Sequence, residues 1–189
     1  MNASHPTRWT PDLSRLIALF YPDPNECGKF TRLEATQMPQ PARRLLDHEH
    51  HMTVTVESFH GCPVDVQVVE NRIESGLYVR KIVLLRQSDQ KPVQFGIVRM
   101  DFRFVSEEVR SAIESRKIPL GRVLIQNNVL RRVELFALWK VEAGADLAKL
   151  LEADPGQTLY GRTALIHCDG QPAVELLEVL APASLTEDR

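Results

Sequence analysis

Two charged residues occupy positions where a buried strand ordinarily carries only apolar side chains. Arg80 lies inside "LYVRKIVLL" (77–85) and Glu178 inside "PAVELLEVLAP" (172–182). An ion buried alone costs several kcal/mol or more, so each should be paired, neutralised or in use. Strand alternation groups Arg80 with Tyr78, Ile82 and Leu84, and Glu178 with Val174, Leu176 and Leu180. The intervening positions are mostly apolar too, so neither strand offers a polar face to water. Two readings fit. One is a structural salt bridge or an edge strand. The other is a polar pocket over a sheet, with arginine for a carboxylate and glutamate for a hydroxyl or a proton.

Other stretches bear on the same chemistry. If Pro119 opens a helix in "IPLGR" (118–122), the first-turn N–H groups, that of Leu120 included, have no partner within the helix. Ile118 cannot cap them, so the terminus suits an anion, although a water-capped surface helix uses the same residues. "DHEHHMT" (47–53) gathers His48, His50 and His51 beside Asp47 and Glu49, but matches neither HExxH nor a Cys/His finger. A polar helix end leading into a strand is expected there, with no metal, and the backbone N–H of Met52 is placed to face a ligand. There is no GxSxG, GxGxxG or P-loop, so neither nucleophilic catalysis nor a nucleotide cofactor is expected. "LYGR" (159–162) puts an arginine after a glycine at a strand entrance and says little alone.

The elements that must position these residues are legible from period and turn signals. "TPDLSRLIALFY" predicts a short helix capped by Thr10, "PDPNECGKF" a loop, and "QPARRLLDHEH" a second helix. "MTVTVESF" (52–59) alternates and predicts a strand, followed by strands in "VDVQVVENR", "LYVRKIVLL" and "VQFGIVRMDFRF". Helices are predicted in "SEEVRSAIESRK", with Ser106 as cap, in "PLGRVLIQNN" and in "ADLAKLLE". "VLRRVELFALWKVEA" reads as a long strand, and a hairpin around Asp169-Gly170 closes the chain. Short polar turns between strands imply antiparallel pairing. The expected class is α+β: an antiparallel sheet of about six strands with helices packed on one side.

The 189 residues suit one domain, 1–189, with residues 1–40 as an N-terminal helix and loop extension. A net charge of −2 from 23 basic and 25 acidic residues gives no attraction to nucleic acid or to an anionic membrane. Three widely spaced cysteines without a CxxC suggest no disulfide framework. The opening residues carry no apolar signal core, and no run approaches membrane-spanning length, so a cytoplasmic monomer or weak homodimer is expected.

"YVRKIVLL", "PLGRVL", "LYGR" followed by "DGQP", and "LEVLAPASL" occur in the order and at roughly the spacing found in chorismate pyruvate-lyases (4-hydroxybenzoate synthetases), and "HMT" at 51–53 matches that family's early Met-Thr. The chain resembles a divergent branch of that family over about residues 40–185. The resemblance implies a chorismate lyase-like fold and a cofactor-free lyase that eliminates pyruvate from chorismate to give 4-hydroxybenzoate, as in ubiquinone biosynthesis. It implies that Arg80 meets the ring carboxylate, that Met52 and Leu120 help enclose the ligand, and that Glu178 holds the 4-hydroxyl or moves a proton. Where the family often has "G-x-P-W…R-T", this chain reads "QKPVQFGIVRMDF", with Val93 for the tryptophan and Ile97 for the arginine. Arg99 or Arg103 is near enough in sequence to substitute.

A second reading belongs to a different class: a non-catalytic module of the same fold that binds an aromatic carboxylate. Effector domains of some transcription regulators share the architecture. A helix-turn-helix precedes those, and the region before Met52 is too short and proline-rich to hold one beside its own helices, which weighs against a regulator. An α+β thioester enzyme is a third reading, without an acyl-carrier signature. Incubation with chorismate, followed by assay of pyruvate and 4-hydroxybenzoate, separates the first two.

Overall fold

Paired positive-φ residues set the two tightest turns of the sheet. Ser75 and Gly76 (φ 50° and 80°) join β2 (Val64–Glu74) to β3 (Leu77–Arg86), and Asp169 and Gly170 (φ 49° and 79°) join β6 (Thr158–Cys168) to β7 (Gln171–Leu180). Turns of this kind match the twist of the strands they connect. The computed structural model describes residues 9–185. With β1 (Gly28–Leu33), β4 (Pro92–Met100) and β5 (Arg131–Ala143), these strands form one seven-stranded sheet in the order β1-β5-β6-β7-β4-β3-β2. Every neighbouring pair is antiparallel. The α+β antiparallel sheet expected from the sequence is present, with β1 in addition to the strands anticipated. Its first half, residues 28–30, falls in the expected loop, because the strand is short, largely polar and at the edge.

Both sheet faces are covered. On one, Leu16 and Ile17 of α1 (Leu13–Ala18) and Leu147, Ala148 and Leu151 of α6 (Ala145–Leu151) pack against Val79, Val83, Phe95, Ile97, Leu177 and Val179. The other face carries the larger helical layer: α2 (Ala42–Leu46), α3 (Met52–His60), α4 (Glu107–Glu114) and α5 (Leu120–Gln126). Adjacent Arg80 and Lys81 show the alternation directly. Lys81 points to the first face, where it pairs with Glu70 (2.7 Å) and Asp146 (3.4 Å) and lies over the Tyr21 ring. Arg80 points to the second.

Residues 52–59, expected as a strand, form most of α3. The period-two pattern of Met52, Val54 and Val56 is misleading, because burial follows a helical spacing: Met52, Thr53 and Val56 are inside and Val54 is outside. Gly61 ends the helix in the left-handed region (φ 59°) and donates its N–H to Glu57. Packing of this face against α2 and α5 outweighs the strand preference of the β-branched residues. The remaining helices stand where expected, with shifted caps. Asp12, not Thr10, accepts from Arg15 N–H at the start of α1, and Pro119 is the N-cap of α5 rather than its first residue. Ser106 caps α4 as expected, accepting from Val109 N–H.

Candidate functional site

Strand register brings the buried charges together. Glu178 on β7 lies opposite Gly96 of β4 on one side and Arg162 of β6 on the other. Arg80 on β3 lies opposite Val98, which is opposite Leu176. Glu178 and Leu176 are two residues apart on one strand and so share a face. Arg80 and Glu178 accordingly line one chamber between the sheet and the helical layer. Ile82, Leu84, Val98, Val133, Ile166 and Leu176 make its apolar walls; His51, Met52 and Thr53 at the start of α3 and Pro119, Leu120 and Gly121 at the start of α5 close it. All four residues singled out from the sequence, Met52, Arg80, Leu120 and Glu178, are among its lining.

The two charges are held differently. Arg80 is 1% exposed, and its Nε and Nη1 have no hydrogen-bond partner in the protein. Burial pulls its pKa below the ordinary arginine value, partly offset by the Tyr78 phenol beside it. Each oxygen of Glu178 accepts one hydrogen bond. Its Oε2 accepts from Arg162 Nε at 2.7 Å and its Oε1 from Gln94 Nε2 at 3.3 Å. Arg162, also 1% exposed, spends its other nitrogens on the chain between α2 and α3, donating to His48 O at 2.8 Å and His50 O at 3.0 Å. One guanidinium thereby ties the chamber's carboxylate to the segment that positions His51, Met52 and Thr53.

Neither helix start is closed by a side chain. His51 at α3 and Pro119 at α5 make no capping bond, so backbone N–H groups of both first turns are left to the chamber side or to water. Gly121 sits where a Cβ would meet Thr53 Oγ1 at 3.1 Å and His51 Cβ at 3.2 Å, which explains how the two termini approach so closely. His51 lines the chamber with its Nε2 unpartnered, and burial first, then Arg131 and Arg162, lowers its pKa to about 4. His48 is brought to about 4 by burial and by Arg162. Both imidazoles are neutral at pH 7. Among the described residues no three of His, Cys, Asp and Glu converge as a metal set.

Several sequence expectations change here. Arg99 does not reach the chamber; it and Arg15 pair with the buried Glu175, each at 2.6 Å. Arg103 pairs with Asp101 and is largely exposed. Glu178, expected to hold a hydroxyl or move a proton, is ion-paired with Arg162. Arg162 and Gln94 were missed as site residues. The arginine had been noticed in "LYGR", but its cross-strand position opposite Glu178 follows from β6–β7 register, which no local pattern reveals.

No family model and no curated protein matches the chain by sequence. Among solved structures the fold is similar to that of PhnF from Mycobacterium smegmatis, at 12% identity and a TM-score of 0.56, over 72% of this chain and 65% of that one. The chain thus spans just under two thirds of that protein. It is similar as well to the ligand-binding domain of a GntR-family transcriptional regulator from Bordetella bronchiseptica, at 15% identity and a TM-score of 0.50, over 67% of this chain and 90% of that one. These likenesses correct the expectation of an enzyme, a chorismate lyase: the similar folds are those of PhnF and of a regulator's ligand-binding domain, and Glu178 is ion-paired with Arg162 rather than a free carboxylate. Among the described residues no helix is long and apolar enough to cross a membrane. The architecture is α+β, chorismate lyase-like, and it is the fold of GntR-family ligand-binding domains.

Proposed function

We propose that this chain is a non-catalytic module that binds a small aromatic carboxylate in the chamber between sheet and helices. One observation carries the reading: a guanidinium 1% exposed, lining an apolar cavity, with two of its nitrogens unpartnered. Leaving such a group unpaired is costly, and a carboxylate supplies the bidentate partner its geometry favours. The apolar walls suit a ring, and the start of α3 adds uncapped N–H groups near Met52. Leu120 closes the ring from the helical side. Glu178, Arg162 and Gln94 form a polar end that accepts a hydroxyl or amine N–H. The fold likeness to a regulator's ligand-binding domain supports binding as the output, with the bound state signalling to whatever the domain is attached to.

Isothermal titration of the protein with 4-hydroxybenzoate tests this. Saturable binding is expected, weakened about thirtyfold or more in Arg80→Ala, the loss typical when one partner of a buried charge pair is truncated. Chorismate incubated with the protein is expected to release no pyruvate. Undiminished binding in Arg80→Ala, or pyruvate formation that depends on the protein, overturns the proposal.

A further inference from the structure

The polar end of the chamber contains an amide oxygen that nothing in the protein satisfies, and it is not on the glutamate. Gln94 is 3% exposed, lines the chamber from β4, and donates Nε2 to Glu178 Oε1. That bond fixes the amide's orientation, because the flipped amide would set its oxygen against a carboxylate oxygen, two acceptors face to face. Gln94 Oε1 is therefore turned away from Glu178, and it is buried with no hydrogen-bond partner in the protein. Both Glu178 oxygens, by contrast, already accept a bond, one from Arg162 and one from Gln94. Two positions along β4 stands Gly96, whose missing side chain leaves the chamber open at this level; a Cβ there would meet Ile82 Cγ1 at 3.2 Å.

We propose that Gln94 Oε1, rather than Glu178, receives the ligand's hydrogen-bond donor and sets the preference for carboxylates that carry a donor at the end remote from Arg80. The inference rests on the carboxylate-binding reading and deepens it. Glu178 is a positioning residue: with Arg162 behind it, it holds the amide so that only the acceptor faces the ligand. A hydroxyl or an amine N–H relieves the buried acceptor, whereas a fluorine of similar size leaves it desolvated and unpaired. A second carboxylate at this end would meet two acceptors, so the ligand's orientation is set as well.

Titration of 4-hydroxybenzoate, 4-aminobenzoate and 4-fluorobenzoate against the wild type, Gln94→Met, Gln94→Leu and Glu178→Gln separates the outcomes, with thermal melts confirming that each variant is folded. The wild type is expected to favour the two donor-bearing ligands by about tenfold or more. Both Gln94 variants should bring that ratio close to one while 4-fluorobenzoate still binds, and Glu178→Gln should lower it as well, because Arg162 takes the one remaining carbonyl oxygen and the new NH2 turns the Gln94 amide over. A ratio that survives in both Gln94 variants but disappears in Glu178→Gln makes the glutamate the direct partner and overturns the inference. Equal binding of all three ligands by the wild type also overturns it, leaving the carboxylate reading intact. Binding of none of them defeats the carboxylate reading and this inference together.

Discussion

Arg162 joins two things that would otherwise be independent: the carboxylate of Glu178 inside the chamber and the carbonyls of His48 and His50 at its wall. Removing one member of a buried ion pair strands the other, at a cost of about 3–5 kcal/mol, whereas replacing both by apolar groups is often near neutral. Arg162→Met is therefore expected to lower the urea midpoint sharply, and Arg162→Met combined with Glu178→Met to recover much of the loss, as equilibrium unfolding would measure. Arg80 should behave oppositely. Two of its nitrogens, Nε and Nη1, satisfy nothing in the protein, so Arg80→Met is expected to hold or raise stability while ligand binding is lost. The sequence exposed Arg80 and Glu178 because a charge amid valines and leucines is anomalous on sight. It hid Gln94 and Arg162, whose significance lies in which residue stands across the ladder.

At the scale of elements, the chain between α2 and α3 carries the pH response. His48 and His51 titrate near 6.5 when unfolded, but in the folded chain their pKa values are held at about 4. For His48 the opposing groups after burial are Arg162 and His50; for His51 they are Arg131, Arg162 and His50. A lowered folded pKa means that the unfolded chain binds more protons. These residues therefore cost nothing above about 6.5 and erode stability progressively as pH falls toward about 4. Thermal melts across that interval should show a declining midpoint, and the decline should be shallower in His48→Asn and His51→Gln. Asp101, whose pKa Arg103 holds down, contributes its own loss only below the ordinary carboxylate range. The same elements mark where sequence reading failed. Alternating Met52, Val54 and Val56 imitate a strand, and only the neighbouring α2 and α5 decide for a helix, whereas "VDVQVVENR" and "LYVRKIVLL", joined by Ser75-Gly76, could be read directly.

At the scale of the whole molecule, the sheet order puts β7, β4 and β3 side by side and leaves β1 at an edge remote from the chamber. Gly28 anchors that edge. It has φ 137°, and a Cβ there would fall 2.4 Å from Glu142 O. Gly28→Ala is expected to destabilise the protein by about 1–3 kcal/mol, read as a lowered denaturation midpoint. Affinity of the folded protein for 4-hydroxybenzoate should stay within about twofold, since the two sites share no partner. Fold class was legible from the run of antiparallel hairpins, whereas activity was not, because one scaffold hosts both lyases and sensors. Whether the chamber's acid is free or ion-paired follows from strand register, which only the assembled strands determine. The ionic groups lining that chamber, Arg80, Arg162 and Glu178, sum to a single excess positive charge, with His51 uncharged at neutral pH. The cavity is thus a receptacle with valence one. If the ligand is an aromatic carboxylate, as proposed, a monoanionic ring would bring the cavity to electroneutrality, and a dianion such as chorismate is expected to bind more weakly than 4-hydroxybenzoate in the same titration.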